Sequence, residues 1–204
     1  MLNVFIKVCE KSPTLASRYH KFKPGPDDLP AFLIILYINY LIQPLAYLIN
    51  ISFSSGIFPD QLKLSKVVPI YKKSDKLDIQ NYRHVAIGNS ISKVFEYCML
   101  DRLLKFLDKY NILTSNQHGF KSTRSTQSAI YSVDNEILSC FETGKSSVGI
   151  FCDLSRAFDC VNHELLIAKL ERYGIRGSPL QWFISYLKHR YQFVEISFNS
   201  NAYK

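Results

Sequence analysis

Apolar side chains recur at helical spacing in four segments from residue 90 onwards, and this spacing predicts four amphipathic helices. The predicted helices are residues 90–110, 125–142, 163–173 and a segment that begins at Ser178-Pro179. Asn89 or Ser90 is suited to cap the first helix, because a short polar side chain can accept from a free backbone N–H. Gly144 and Gly174 end the second and third helices, because glycine readily adopts the left-handed backbone that closes many helices.

Three other segments have the composition or the alternation of β-strands. They are residues 63–71, 148–152 and 193–198. Residues 148–152 form a continuous apolar run, which is typical of a strand buried on both faces. The polar segment 72–80 follows the first strand and predicts an exposed turn or hairpin tip. The mixture indicates an α/β or α+β fold, and we expect an incomplete sheet because the last strand needs a partner.

The segment from Ala31 to Phe53 is apolar enough to be compared with a membrane span. Four residues interrupt it: Asn39, Gln43, Pro44 and Asn50. It therefore contains no clean run of the roughly 20 apolar residues that a span needs. We expect a buried helix that is broken near Pro44, with a membrane span as the less favoured alternative. Charged residues interrupt the N-terminal apolar run, so no signal peptide is expected.

The composition indicates a folded, basic protein. The chain has 204 residues, of which 47% are hydrophobic and 14% aromatic, so it can bury a core and does not look like a disordered tail. The net charge of +8 and the pI of about 9.2 favour a polyanionic partner, most simply nucleic acid. The five cysteines are scattered, which favours free thiols in an intracellular protein over a zinc site.

The segment FCDLSRAFD, from Phe151 to Asp159, places an acid directly after the predicted strand 148–152. A strand end would hold the carboxylate of Asp153 rigidly, and the N–H groups of the following turn would hold phosphate oxygens. An acid beside a phosphate requires a cation between them, as in two-metal phosphoryl transfer with Mg²⁺. Phe158 would then lie against the sugar of a nucleotide. In the purely structural alternative, the acid merely ends a strand and Asp159 caps the next helix.

Several blocks of the sequence, read in order, resemble those of reverse transcriptases from non-LTR, jockey-like retrotransposons. The blocks are SGIFPDQLKLSKVVPIYKKSD, NYRHVAIGNSISKVFE, QHGFKSTRSTQSA, GIFCDLSRAFDCVNHELLIAKLERYGI and WFISYLKHRYQFV, with FKPGPDDLP upstream. The resemblance covers about residues 20–198. Each block alone is a weak signal, and their common order makes the resemblance specific.

The resemblance implies roles for the residues of FCDLSRAFD. Asp153 corresponds to the first catalytic metal-binding aspartate of the family, and the backbone carbonyl of Leu154 to a ligand of the second metal. The amides of Arg156 and Ala157 would receive the triphosphate of the incoming dNTP. Phe158 would be the steric gate that disfavours a ribose 2′-OH, the group that distinguishes RNA from DNA.

The resemblance also implies contacts outside this segment. Lys73 and Arg83 would reach the triphosphate from the fingers, as a mobile ammonium and a bidentate guanidinium. For Lys73 the alternative is a solvated loop charge. The block that lies near the RNA template and the DNA primer contains Gln117, Gly119, Phe120 and Arg124. Its alternative is a turn followed by a helix cap at Ser125. We expect structural roles for three further residues: Asp159 caps the next helix, His163 packs at a helix start, and Trp182 belongs to the core.

The resemblance implies a right-hand polymerase fold of the α+β class. The implied parts are an N-terminal extension, fingers and a partial palm, at residues 1–30, 31–145 and 146–204. The family's palm continues with a hairpin that carries two adjacent aspartates, whereas the adjacent pair Asp27-Asp28 lies in the early Pro-Gly loop. We therefore expect a chain truncated before the catalytic Asp-Asp hairpin and the thumb, which does not polymerise although its family uses two Mg²⁺ ions.

Two alternatives stay open. A catalytically dead remnant would still bind nucleic acid through Lys and Arg of the fingers, with a steep salt dependence. A remnant without selected function would expose unpaired strands and aggregate. His84 stands where the family usually has Pro, and Lys121 where it usually has Arg. Either difference would weaken the contacts of the fingers or of the template. A nuclear or cytoplasmic location is implied by the family alone.

Overall fold

The computed structural model of the chain describes residues 24–121, 123–154 and 157–195. The chain forms two compact units. The first unit combines the residues up to Arg102 with those from His163 onwards, and the second runs from Leu103 to Asn162. The second unit is therefore an insertion in the sequence of the first.

The described residues contain six α-helices and three β-strands. The helices are α1 (Ala31–Leu36), α2 (Ile38–Ser55), α3 (Ser90–Lys109), α4 (Thr126–Glu142), α5 (His163–Arg172) and α6 (Ser178–Leu187). The strands are β1 (Leu64–Tyr71), β2 (Tyr82–Gly88) and β3 (Tyr191–Val194), with short 3₁₀ turns at Asp60–Leu62 and Ile79–Asn81. The four helices predicted from periodicity are confirmed as α3 to α6.

β1 is the central strand of a three-stranded sheet with the order β2-β1-β3. β1 and β2 form an antiparallel hairpin in which Val67 lies opposite Ala86, and β3 pairs parallel with β1. The prediction of a first strand followed by an exposed polar tip is confirmed. The strand predicted at 193–198 is found at Tyr191–Val194, and residues 196–198 lie outside the described residues.

The core of the first unit is centred on Trp182, whose side chain is 1% exposed. Its indole stacks on the ring of Tyr186, with 5.3 Å between centroids, and meets Phe53 and Phe58 edge-on. The indole Nε1–H donates to Ser52 Oγ at 2.9 Å, so this buried polar group is satisfied. Other buried members of the cluster lie on α2 and α3: Leu45, Ile49, Phe95, Cys98 and Met99. The prediction that Trp182 belongs to the core is confirmed.

The break in the apolar segment 31–53 lies at Tyr37, between α1 and α2, and not near Pro44. Pro44 is an exposed residue inside α2. A proline at this position removes the hydrogen bond to the carbonyl of Tyr40, whose side chain is 81% exposed, so water can satisfy that carbonyl. The prediction of a break near Pro44 is wrong, because the missing bond falls on the solvent side of the helix.

α2 buries one face and exposes the other. Leu45, Ile49 and Phe53 lie in the core, whereas Tyr47 and Ile51 are exposed. The prediction of a buried helix therefore holds for one face only. In the part of the chain that the structure describes, no helix has the length and the apolar character that a membrane crossing requires.

Residues 148–152, predicted to be a buried strand, form no strand in the structure. Val148, Ile150 and Phe151 are 89%, 84% and 91% exposed. A strand needs a neighbour that pairs with its N–H and C=O groups, and none of the described strands pairs with this run. The prediction is wrong because apolar character alone does not supply the hydrogen bonds of a sheet.

α4 begins where its sequence predicts. The Oγ of Ser125 accepts from the N–H of Ser128 at 3.3 Å, and the N–H of Ser125 donates to Ser128 Oγ at 3.0 Å, which is a reciprocal cap. Gly144, with a φ of 65°, closes the helix. The predicted apolar face is exposed in the described second unit, and its members are Ile130, Val133, Ile137 and Phe141. Capping and backbone hydrogen bonds therefore support this helix more than burial does.

Candidate nucleotide-binding site

The tip of the β1–β2 hairpin, residues 72–81, carries the first group of predicted site residues. Lys72 N–H donates to the carbonyl of Asn81 at 2.9 Å and closes the base of the tip. Lys73 is exposed at a bend directly after this base. Ser74 follows with a φ of 78°, a left-handed conformation that serine seldom adopts. The tip therefore has a defined and locally strained backbone beside Lys73.

Side chains of the tip replace the missing backbone hydrogen bonds. Asp75 Oδ1 accepts from the N–H of Leu77 at 2.9 Å, and Asp78 Oδ1 accepts from the N–H of Gln80 at 2.9 Å. Asn81 Nδ2 donates to the carbonyl of Asp75 at 2.9 Å. These bonds fold an exposed polar segment into consecutive turns.

Two tyrosines lie where the tip joins the strands. Tyr71 and Tyr82 are directly opposite each other in the hairpin, with 5.7 Å between their ring centroids. The hydroxyl of Tyr71 donates to the carbonyl of Ser74, and the hydroxyl of Tyr82 donates to the carbonyl of Lys76 at 2.9 Å. The Nζ of Lys76 lies 5.7 Å from the centroid of the Tyr71 ring. Sequence reasoning missed this pair, although its position on both sides of the polar tip is visible once the hairpin register is known.

Arg83 lies on β2 opposite Ile70 and is exposed. Because side chains alternate along a strand, Arg83 and Tyr82 point to opposite faces of the hairpin. Among the described residues, neither Lys73 nor Arg83 forms a salt bridge with an acid. Both cations are therefore available to an anionic ligand.

The second group of predicted residues lies in the second unit, on the FCDLSRAFD segment. Asp153 and Leu154 are exposed and belong to no strand, and Ala157 lies in the turn that follows. Arg156 lies outside the described residues. The ring of Phe158 meets the ring of Phe120 edge-on, with centroids 6.3 Å apart. The structure therefore joins the predicted steric gate to the block predicted to lie near template and primer.

That block forms a turn before α4. Gln117 Nε2 donates to the carbonyl of Gly119 at 3.2 Å, and the N–H of Arg124 donates to the carbonyl of Lys121 at 3.2 Å. Phe120 has a φ of 59° and is 87% exposed, so the turn presents its ring outwards.

His118, in the same turn, was not predicted as a site residue. Its Nδ1 lies 2.8 Å from Ser128 Oγ and ties the turn to the first turn of α4. This contact joins residues ten positions apart in the chain, so no local pattern of the sequence predicts it.

The described residues do not by themselves fit a magnesium ion. They contain no group of three or more His, Cys, Asp or Glu side chains that could hold a metal ion. Asp153 is exposed and lies at no strand end, so the rigid carboxylate expected from the sequence is missing from the described structure. A two-metal site requires more carboxylates than the two, Asp153 and Asp159, that this segment offers.

A cavity of about 420 Å³ lies elsewhere in the first unit and contains none of the predicted site residues. Glu96 and Arg190 line it beside Tyr186. Arg190 stacks over the Tyr186 ring at 4.6 Å, and its Nη1–H donates to the Tyr186 carbonyl at 3.2 Å. Burial, reinforced by the charge of Glu96, raises the pKa of Tyr186 to about 12. This phenol is therefore neutral over the physiological range.

Comparison with known proteins matches residues 70–203 to the family model of reverse transcriptase (RNA-dependent DNA polymerase). The RNA-directed DNA polymerase from the mobile element jockey of Drosophila melanogaster is 31% identical over 153 residues, which are 74% of this chain and 17% of that protein. The probable RNA-directed DNA polymerase from transposon BS of the same organism is 28% identical over 184 residues, 86% of this chain and 20% of that protein. The chain thus spans about a fifth of the length of these curated relatives.

The matched range contains Lys73 and Arg83, the turn before α4 and the Asp153 segment, and it covers about two thirds of the chain. The chain therefore belongs to the reverse transcriptase family, whose members are RNA-directed DNA polymerases. Within the family, it is a jockey-like reverse transcriptase domain of the non-LTR transposon type. The mixture of helices with a small sheet is compatible with the fold of that family.

Proposed function

We propose that this chain forms the fingers and the front part of the palm of an RNA-directed DNA polymerase that copies a non-LTR retrotransposon. The observation that carries this proposal is the family match over residues 70–203, a range in which all the proposed nucleotide contacts lie. The proposed parts of the right-hand fold are the fingers at 31–145 and the partial palm at 146–204. The proposed partners are an RNA template, a DNA primer and a dNTP, which would place the protein in the nucleus or the cytoplasm.

Lys73 and Arg83 are the proposed triphosphate contacts of the fingers. Both are exposed cations without an acidic partner among the described residues, so binding a phosphate does not require an existing ion pair to be broken. The guanidinium of Arg83 can donate two parallel hydrogen bonds to phosphate oxygens, whereas Lys73 supplies a compact charge.

The FCDLSRAFD segment is the proposed contribution of the palm. Asp153 and the carbonyl of Leu154 would be two of the ligands of a Mg²⁺ site, and further carboxylates, which the described residues do not group around Asp153, would be needed to hold the ion. The amides of Arg156 and Ala157 would receive phosphate oxygens, and Phe158 would exclude a 2′-OH. The template and primer would run along the turn that contains Gln117, Gly119, Phe120 and Arg124. The edge-on contact between Phe120 and Phe158 supports the proximity of template and nucleotide in this scheme.

We further propose that the chain alone does not polymerise. Asp153 has too few acidic neighbours among the described residues to hold two ions. Primer extension by the purified chain with Mg²⁺ and dNTPs should therefore give no product. Extension that Asp153→Asn abolishes would contradict this part of the proposal.

A binding assay tests the nucleotide contacts independently of polymerisation. We expect the matching dNTP to increase retention of an RNA template–DNA primer hybrid in a filter-binding assay. Arg83→Gln should remove this increase, whereas Arg176→Gln, which replaces another exposed arginine of the first unit, should preserve it. Retention that is equal with and without dNTP in the wild type would contradict the proposed nucleotide site.

A second candidate function is nucleic-acid binding without catalysis. The net charge of +8 and the lack of a metal-binding cluster in the described residues favour it. In that case the hybrid binds with steep salt dependence and without any effect of dNTP. Failure to bind the hybrid even at low salt would contradict both candidates.

A further inference from the structure

We infer that Tyr71 and Tyr82 are positioning residues that hold the main chain beside Lys73 in the conformation that binds a triphosphate. The inference rests on the proposed function of Lys73. It adds two residues that do not touch the ligand and act through the backbone of the tip.

The tip needs such a device because its composition opposes order. Residues 72–80 are all exposed, and three of them are lysines: Lys72, Lys73 and Lys76. An exposed polar segment gains little from burial, and neighbouring like charges repel, so its ordering must come from specific hydrogen bonds. The structure nevertheless defines the tip through its side-chain turns and the two tyrosines.

The two hydroxyls act on the residues that flank Lys73. The Tyr71 hydroxyl donates to the carbonyl of Ser74, the next residue after Lys73, whose φ of 78° is unfavourable for serine. The Tyr82 hydroxyl donates to the carbonyl of Lys76 at 2.9 Å, on the far side of the strained residue. The hydroxyl bonds therefore oppose relaxation of the strained turn that carries Lys73.

The packing of the two tyrosine rings fixes the positions of their hydroxyl groups. Tyr71 and Tyr82 are directly opposed in the hairpin and meet at 5.7 Å between centroids, an arrangement that stabilises cross-strand aromatic pairs. Lys76 Nζ lies 5.7 Å from the centroid of the Tyr71 ring. This cation–π contact holds one of the three lysines of the tip against the tyrosine pair. A backbone ordered in advance lowers the entropy that Lys73 loses when it binds a phosphate group.

The test removes the hydroxyls and keeps the rings. The variants are Tyr71→Phe, Tyr82→Phe and their combination. Tyr97→Phe is the matched control, because Tyr97 is a partly exposed tyrosine of α3 and does not belong to the hairpin. The first measurement is the rate of trypsin cleavage after Lys72, Lys73 and Lys76, followed by mass spectrometry. We expect each single variant to be cleaved about three- to tenfold faster, the range that one hydrogen bond supports.

The second measurement reports on ligand binding. Inorganic triphosphate should protect the amine of Lys73 from acylation in the wild type, with Lys145 of the second unit as an unprotected reference. The two variants should need about three- to tenfold more triphosphate for the same protection, and Tyr97→Phe should match the wild type. The midpoint of thermal unfolding should stay unchanged, which separates positioning from a loss of fold.

The outcomes separate the two levels of the proposal. Wild-type protection that the tyrosine variants do not weaken would overturn the positioning inference alone. Unchanged trypsin cleavage in the variants would also overturn it, because the hydroxyls would then not order the tip. Absence of protection in the wild type would overturn the proposed function of Lys73, and the inference with it.

Discussion

The ring of Phe158 meets the ring of Phe120 edge-on, with centroids 6.3 Å apart and planes at 86°. Both rings are more than four-fifths exposed, at 81% and 87%, so the contact does not arise from a buried core. Edge-to-face pairs are attractive because the positive edge of one ring meets the negative face of the other. The pair gives the proposed steric gate a defined neighbour on the proposed template side.

Shortening Phe158 tests the gate. Phe158→Val removes most of the ring that would block a 2′-OH, so we expect the preference for dATP over ATP to fall by about tenfold, the effect of a single steric contact. Competition of the two nucleotides for the complex of the chain with hybrid measures this preference. Phe151→Val changes another highly exposed phenylalanine of the same segment, 91% against 81% for Phe158, and should leave the preference intact. An unchanged ratio in Phe158→Val would remove the gate from this site.

The core around Trp182 predicts a stability series. Trp182→Ala leaves a large cavity and should lower the free energy of unfolding by about 3–5 kcal/mol. Trp182→Phe keeps most of the apolar packing and removes the donor to Ser52 Oγ, so it should cost about 1–3 kcal/mol. Tyr40→Ala, at a residue 81% exposed, should change stability by less than about 0.5 kcal/mol. Urea denaturation followed by circular dichroism measures all three, and equal values for the alanine and phenylalanine variants would contradict the cavity argument.

Alkaline pH tests the phenol of Tyr186. Its pKa of about 12 in the folded protein lies above the value of about 10 expected in an unfolded chain. Its contribution to stability is complete below pH about 10 and is lost as the pH rises to about 12, because only the unfolded state releases the proton in that window. After allowance for its partial exposure, we expect wild type to lose about 1–2 kcal/mol more than Tyr186→Phe across the window. Parallel stability curves for the two proteins would contradict the raised pKa.

The lysines of the tip predict a salt effect. Replacing Lys72, Lys73 and Lys76 by Gln removes three cations that can neutralise phosphates. The slope of log K against log salt for hybrid binding should then become shallower by about one unit for each phosphate that is no longer neutralised. Lys145→Gln is the matched single-charge control and should leave the slope within its error. A slope that the triple variant leaves unchanged would show that the nucleic acid does not bind at the tip.

Local signals account for the parts of the fold that were predicted correctly. The reciprocal cap between Ser125 and Ser128 joins neighbours in the sequence, so the start of α4 could be predicted without coordinates. β1 and the exposed polar tip were predictable for the same reason, because a polar segment follows a β-branched run, whereas β2 was not predicted. Lys73 lies in the tip of the β1–β2 hairpin and Arg83 lies on β2, and their role in binding stays a prediction.

Local signals failed where the outcome depends on a distant partner. The apolar run 148–152 was predicted as a buried strand, and no described strand offers it hydrogen bonds. Pro44 was predicted to break a helix, and the exposed side of α2 tolerates it. In both cases the surroundings of the residues decided the conformation: the apolar run has no described strand to pair with, and Pro44 lies on the exposed side of its helix.

The sequence by itself determined the family, the positions of α3 to α6 and the exposed polar tip that carries Lys73. The order of the blocks and the helical spacing are properties of the chain alone, so they need no tertiary contact to be recognised. Only the tertiary structure decided that β3 pairs with β1, that Trp182 donates to Ser52, and that Phe158 meets Phe120. These relationships join residues far apart in the chain, and they form only when folding brings their side chains or backbones close together.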